Sequence, residues 1–506
     1  MTTEAGAKVA IGGAHLTIDM VDAVARRHAV VEIDRSAVLR VQRAYDFVKR
    51  LATTDTPVYG LTTGCGPLAS QAIPPPAREQ FQRNLVRSHA VTLGAPHSTA
   101  FVRAAMAVRA QVFAQGYSGV EPGTVDLLVA MLNAGIHPLV REVGGVGASG
   151  DLVELAQMAL ALLGEGSVEF RGAVMRADAA LHEAGLTALV PRYREGLALM
   201  NGTSFHTGTG AVLVAQARRL MAAAQIAAAM IFDALRGNLE AFAPELQRTR
   251  PHHGQRMVAE RITHFLRDSA LVRGRESAAE RQDAYSLRCI PQVLGPVVDA
   301  IESTAAVLEI ELNSVSDNPL FLVDEGRVVH GGNFHGQPVA MALDQLKVAM
   351  VELGVMAERR IARVLDVSLN AGLPPFLIRN GAGLQSGFMG LQYCASSMAA
   401  DNAVLAAPAS VHSVPTNANN QDVVSMGMVV ARQAARVIDN VERMIAIELL
   451  CAAQALDIRG PVHAGAGTRS AHALIRDHVA PLIEDRPISE DVDAVCALID
   501  GGGLGS

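Results

Sequence analysis

Residues 208–235, 338–366 and 422–456 carry apolar side chains at helical spacing over lengths that few globular helices reach. Helices that long need neighbours of similar length to bury their apolar stripes, so the segments point to a long-helix bundle. The composition agrees. Alanine, leucine, valine and methionine dominate, aromatics make up 4% of the 506 residues, and there is no tryptophan. Segment 208–235 is the most hydrophobic, but Gln216, Arg218, Arg219 and Gln225 interrupt it, which marks a buried helix and not a membrane span. A formal net charge of −7 and the lack of any basic run argue against a nucleic-acid surface. Cys65, Cys289, Cys394, Cys451 and Cys496 are scattered without metal-ligand spacing, as expected of reduced thiols in a cytoplasmic protein. No basic stretch followed by an apolar one opens the chain, so no signal peptide is expected.

Local signals fill in the rest. Helices are expected at Ser36–Leu51 with Ser36 as the cap, and at 76–93, 98–115, 124–134, 295–313 and 385–405. A short strand is expected at His15–Asp19. Hairpins are expected at 168–174 around Gly172, and at 320–323 with 327–330 around Asp324-Glu325-Gly326. Residues 247–285 are polar and suggest a loop–helix–loop excursion. The adjacent His252 and His253 do not share a helix face and have no acidic or cysteine partner at ligand spacing, so no metal is expected. Residues 1–14 and the Gly-rich 501–506 read as flexible.

The stretch Gly144-Gly145-Val146-Gly147-Ala148-Ser149-Gly150-Asp151-Leu152 runs a glycine-rich loop into a helix from about Leu152 to Leu163. One reading is a tight turn with Ser149 or Asp151 as the helix cap. A second is an anion site, though the Lys-Ser/Thr ending of a phosphate loop is missing. A third uses the order Ala148-Ser149-Gly150. The unhindered Gly150 nitrogen can attack the Ala148 carbonyl carbon, and loss of two waters leaves a methylidene-imidazolone (MIO), an electrophile made from the chain itself.

With Asp-Leu behind it and Leu-Leu-Gly-Glu-Gly closing the helix at 162–166, this run resembles the aromatic amino acid ammonia-lyase and aminomutase family. The resemblance extends from about Leu16 to about Asp457. It implies a mainly α, histidine ammonia-lyase-like fold with a few short β-hairpins, and an MIO formed from Ala148, Ser149 and Gly150 with no exogenous cofactor. It implies one continuous catalytic unit: residues 1–200 hold a lid loop and the MIO-forming loop, and 201–506 the central long helices and C-terminal helices. In Pro57-Val58-Tyr59-Gly60-Leu61-Thr62-Thr63-Gly64-Cys65-Gly66-Pro67, Tyr59 resembles the family's lid tyrosine, the general base; Cys65 stands where the family usually has an aromatic residue. Asn201 resembles a hydrogen-bond donor to the imidazolone oxygen. Tyr285 resembles a second catalytic tyrosine, and Arg288 the arginine that clamps the substrate carboxylate. Asn318 matches a residue that assists this contact, Phe334 an aromatic bordering the site, and Asn417 and Gln421 a loop near the substrate amine.

Ser88-His89 falls where the family reads the substrate side chain, and the pair occurs in histidine ammonia-lyases and in some tyrosine enzymes. Asn420-Gln421 resembles enzymes acting on phenylalanine or tyrosine, since histidine ammonia-lyases usually carry a glutamate at the position of Gln421. The Gly-rich run also resembles bacterial tyrosine ammonia-lyases. The resemblance therefore implies ammonia elimination from L-tyrosine to give 4-coumarate. The alternatives are histidine ammonia-lyase, giving urocanate, and tyrosine 2,3-aminomutase. It further implies a cytoplasmic homotetramer with active sites shared between subunits, a small amino acid as substrate, and no nucleic-acid or membrane partner.

Overall fold

A computed structural model describes residues 8–54, 56–272 and 282–504. Four long helices dominate: Ser204–Ala234, Ile290–Leu312, Gln337–Leu365 and Gly427–Arg459, with 31, 23, 29 and 33 residues. The strands are short and pair only in twos and threes. This is the mainly α, long-helix architecture implied by the apolar periodicity. The chain forms two compact units, each gathered from distant stretches. The first comprises Met1–Ala215, Thr304–Asp344 and Pro408–Arg432; the second comprises Gln216–Ser303, Gln345–Ala407 and Gln433–Ser506. Each long helix contributes turns to both.

In the first unit the Ala-rich helix Thr99–Ala114 is buried from Val102 onward. Small side chains let Ile18–Arg26 and Pro122–Ala134 pack closely on it. Arg103 lies inside this packing and donates to the Val24 and Leu132 carbonyls at 2.9 and 3.0 Å, near the ends of those two helices, where carbonyls lack helical partners. Both expected hairpins form. Ser167–Phe170 pairs with Ala173–Arg176 across Arg171-Gly172, both at positive φ. Leu320–Leu322 pairs with Arg327–Val329.

Several local expectations need correction. The first strand is Lys8–Ile11, pairing in parallel with Val30–Ile33, and not His15–Asp19. Thr17 instead caps the helix Ile18–Arg26. Asp34, not Ser36, caps Arg35–Leu51: its carboxylate accepts from the Ser36 N–H at 2.8 Å. The helix expected to reach residue 93 stops at His89, because Leu93–Pro96 is drawn into pairing with Arg141–Val143. The last long helix begins at Gly427 and not at 422. Met426 sits at φ +55° and donates its N–H to the Val146 carbonyl at 3.0 Å, which interrupts the helical path. In the second unit the polar excursion holds two helices, Pro244–Thr249 and His253–Phe265; its residues 273–281 lie outside the described ones. In the Gly-rich tail Leu504 is buried while Gly501, Gly502 and Gly503 are exposed.

The second unit is tied internally by buried charges. Arg360 forks onto Glu448 at 2.5 and 3.1 Å. Asp233 accepts from Ser269, the Gly465 N–H and Thr468 at 2.5–2.8 Å. Among the described residues no helix is long and apolar enough to cross a membrane, and no group of His, Cys, Asp or Glu could hold a metal ion.

Two histidines of the first unit give the fold an acid limit. Burial, then the Arg103 charge, lowers His137 to about 4; burial, then Arg432, lowers His97 to about 4. Arg103 donates to His137 Nε2 at 2.9 Å, which suits the neutral ring. Unfolded histidine titrates near ~6.5, so between those values the unfolded chain binds more protons than the folded one. Their contribution to stability is present above about pH 6.5 and is lost as pH falls toward about 4. Melting temperature should fall across that window, and a His97→Gln/His137→Gln variant should show a shallower fall. An unchanged slope would exclude these two groups as its source.

Candidate active site

The glycine-rich loop is shaped by close approach on every side. Gly147 has φ +84°, and a Cβ there would lie 2.3 Å from Ser425 Oγ and 2.8 Å from the Met426 nitrogen. Gly150 has φ +76°, and a Cβ would lie 2.1 Å from the Gly202 oxygen and 2.9 Å from that of Phe334. Neither position accepts a side chain. Between them Ser149 is held at φ +51°, a left-handed conformation that a residue with a Cβ adopts only under constraint. Ala148 is buried against Val424 and Met426.

The constraint comes from Asn201-Gly202. Gly150 and Gly202 pair in parallel: the Gly202 N–H donates to the Ser149 carbonyl at 2.9 Å, and the Asp151 N–H donates to the Gly202 carbonyl at 2.7 Å. In such a ladder the residue between the two bonds turns its own N–H away from the partner. The Gly150 nitrogen is thus not tied to Gly202. Asn201 is anchored in turn: its Nδ2 donates to Asp317 at 2.9 Å and to the Asn318 carbonyl at 3.3 Å. Arg194 forks onto the same Asp317 at 2.8 and 3.0 Å, both side chains fully buried. Burial works against the Asp317 carboxylate, but Arg194 overrides it and holds the group below its usual range.

Asp151 begins the helix Leu152–Leu162 but does not cap it with its side chain. One carboxylate oxygen accepts from the N–H groups of Phe205 and His206 at 2.7 and 2.9 Å, at the start of the helix Ser204–Ala234. The other meets His206 Nδ1 at 2.6 Å. Burial alone would lower the His206 imidazole; the Asp151 charge reverses this and raises it. His206, Arg194 and Asp317 were not foreseen, because buried partners this far apart in sequence leave no local pattern.

Tyr59 is half-buried, and its hydroxyl accepts from the Gly66 N–H at 2.8 Å. Burial, then the neighbouring Cys65, raises the phenol above its ordinary value; burial pushes the Cys65 thiol up to about 11. The loop that carries Tyr59 is tied to the Asn201 segment through Gln82, which donates to the Gly60 carbonyl at 2.9 Å and accepts from the Leu197 N–H at 3.1 Å. Asn417 also reaches this loop, its Nδ2 at 2.5 Å from where a Gly66 Cβ would stand. Asn318 Oδ1 accepts from the Gly331 N–H at 2.8 Å, and the Phe334 backbone abuts Gly150. His89 Nδ1 lies 2.8 Å from the Leu85 carbonyl and 3.0 Å from Ser88 Oγ. Donation to that carbonyl leaves Nε2 as an acceptor. Gln421 Oε1 accepts from Thr416 Oγ1 at 2.9 Å. Tyr285 and Arg288 belong to the second unit. There the Arg288 guanidinium stacks 4.8 Å from the Tyr285 ring centre and donates to Gln282. Both residues line a cavity of about 540 Å³, and Tyr285 also lines one of about 640 Å³.

A serine strained between two glycines that admit no side chain, followed by a nitrogen left clear of its partner strand, suits cyclisation to an MIO. That places the protein in the class of lyases and aminomutases that make this group from their own chain. Known proteins agree. The family model "Aromatic amino acid lyase" matches residues 16–477. A histidine ammonia-lyase of Gloeobacter violaceus is 48% identical over 98% of this chain and 96% of its own. The crystal structure of histidine ammonia-lyase from Trypanosoma cruzi superposes with TM-score 0.91 at 38% identity, covering 98% and 94% of the two chains. That of tyrosine aminomutase from Streptomyces globisporus gives TM-score 0.93 at 37% identity, covering 98% and 97%.

The chain belongs to the aromatic amino acid lyase family. It is a carbon–nitrogen lyase of the ammonia-lyase type, and its family forms the MIO from its own backbone without an added cofactor. The expected substrate, L-tyrosine, is overturned by the full-length relatives, which are histidine ammonia-lyases. The product tied to it, 4-coumarate, goes with it. The tyrosine reading leaned on Gln421, whose side-chain oxygen is engaged by Thr416. His89, meanwhile, offers an acceptor that suits an imidazole N–H as well as a phenol.

Proposed function

We propose that this protein eliminates ammonia from L-histidine to give urocanate. The observation that carries the reading is the 48% identity to a histidine ammonia-lyase along nearly the whole of both chains. The chemical difficulty is a weakly acidic β-hydrogen and an amine that leaves poorly. The MIO of the mature protein supplies an electrophile that makes the amine a better leaving group. Tyr59 removes the β-proton, with the Gly66 N–H on its oxygen favouring the phenolate. Asn201, fixed by Asp317, steadies the loop through Gly202. His89 Nε2 accepts the imidazole N–H, Phe334 borders the ring, and Asn417 and Gln421 lie toward the amine. Arg288 pairs with the carboxylate, assisted by Asn318, and Tyr285 acts as the second catalytic tyrosine.

Incubation with histidine, tyrosine and phenylalanine tests the assignment. Urocanate should form fastest, and faster cinnamate or coumarate formation would sink it. His89→Leu should lower kcat/KM for histidine by roughly ten- to a hundredfold, because a buried N–H left without its acceptor costs about 1–3 kcal/mol. An unchanged value would mean that His89 does not read the ring.

We also infer a cytoplasmic homotetramer with Tyr285 and Arg288 supplied to each site by partner subunits. The helix Met389–Leu405 supports assembly: of its 17 residues only Leu391, Ala395 and Asn402 are buried, and Tyr393 and Val404 are 67% and 80% exposed. The five free cysteines fit a reducing compartment. Light scattering should return four chains per particle.

A further inference from the structure

Three residues past Asp151, Glu154 lies in the first turn of the helix that leaves the loop. It is fully buried and outside the chemistry assigned above. Its Oε1 accepts from the Gly145 N–H at 2.8 Å. Its Oε2 is buried without a hydrogen-bond partner among the described residues. A Cβ on Gly145 would stand 2.2 and 2.4 Å from the two carboxyl oxygens, so the glycine lets the backbone press directly against the acid. The loop is thereby held at both ends. Asp151 and Gly202 fix the leaving arm, and Glu154 fixes the entering arm, folding it back onto the helix that follows.

We infer that Glu154 is a positioning residue for the self-cyclisation, a buried clamp on the Gly145 N–H that holds the Ala148 carbonyl in place for attack by the Gly150 nitrogen. The inference rests on the family's self-made electrophile and adds a residue to the apparatus that forms it. Glu154 forms and breaks no bond. In the cyclisation the Gly150 nitrogen bonds to the Ala148 carbonyl carbon, that oxygen leaves as one water with the protons of the Gly150 and Ser149 nitrogens as a C=N bond forms to the Ser149 nitrogen, and the Ser149 hydroxyl leaves with its Cα hydrogen as the second. The clamp needs an acceptor and not a charge. Burial, then the Asp151 carboxylate, raises the Glu154 carboxyl to about 7, so near neutrality a large share of it is uncharged. The groups facing it are Asp151, the Gly145 N–H and His206.

The test follows maturation of the newly made full-length chain by intact mass over time, for wild type, Glu154→Gln, Glu154→Asp and Glu154→Leu. Wild type should lose two waters. Glu154→Gln keeps the acceptor and should mature at the wild-type rate. Glu154→Asp retracts the carboxyl and Glu154→Leu removes it; both should mature about tenfold more slowly or worse, the rate equivalent of one lost buried hydrogen bond. The matured fraction of each should turn over histidine normally, since the clamp acts before catalysis. Wild-type maturation rates in the Asp and Leu variants would overturn the inference. So would a Gln variant that stalls while the Asp variant matures, since charge would then matter and not the clamp. If Leu fails to fold, the Gln–Asp comparison still decides. A wild-type chain that never loses water would instead refute the self-made electrophile itself.

Discussion

Ser149→Ala is expected to give a folded chain that releases no ammonia and keeps its encoded mass. The wild-type chain should weigh two waters less than encoded. The substitution removes the hydroxyl whose departure completes the electrophile, and no neighbouring residue can replace it. Activity should fall at least about 10³-fold, to the detection limit for an enzyme of ordinary turnover. Stability should hardly change. Ser149 already bears a Cβ at φ +51°, and alanine carries the same left-handed penalty of about 1–2 kcal/mol. Intact mass, a thermal melt and ammonia release read the three outcomes separately. An active Ser149→Ala protein would show that the reaction proceeds without the ring.

Tyr59→Phe should be the second most damaging change. In the proposed mechanism Tyr59 is the general base, a role worth about 10²–10⁴-fold in turnover, so kcat should drop by that factor in a chain that has matured normally. Burial, followed by Cys65, keeps the phenol above its ordinary value. The active, deprotonated form is therefore populated as pH rises, and wild-type kcat/KM should climb on the alkaline side. The phenylalanine variant should lose that climb. It also leaves the Gly66 N–H without its acceptor, which loosens the lid and raises KM modestly. Near-normal turnover with only a changed KM would move the base elsewhere.

Much of this molecule is legible in its sequence, and the limits have physical causes. The long helices are written as apolar periodicity. The reactive turn is written as glycine spacing around Ser149, because only glycine tolerates the Gly202 and Phe334 oxygens so close to residue 150. What stays hidden depends on partners far along the chain. Asp151 looks like the cap of its own helix, yet its carboxylate is spent on Phe205 and His206, 54 and 55 residues away. Arg194 and Asp317 are 123 residues apart, and neither carries a local signal of the other. The helix boundary at Gly427 is set by a contact between Met426 and Val146 that no local propensity encodes. The substrate expectation failed for a different reason: it rested on the likeness of Asn420-Gln421 to enzymes acting on phenylalanine or tyrosine, and the full-length histidine ammonia-lyase relatives overturn it.

The bonds that bend Ser149 come from Gly202, and the carboxylate beside them is satisfied by Phe205 and His206. A ribosome delivers these residues well after the serine. A nascent or half-folded chain that has made only the loop has glycines free to relax and nothing to compress them. The hazardous chemistry is therefore licensed by the arrival of a later segment. An aggressive electrophile is kept out of unfinished molecules, where it could modify the chain's own cysteines or a chaperone, and is armed once the protein has proved that it can fold.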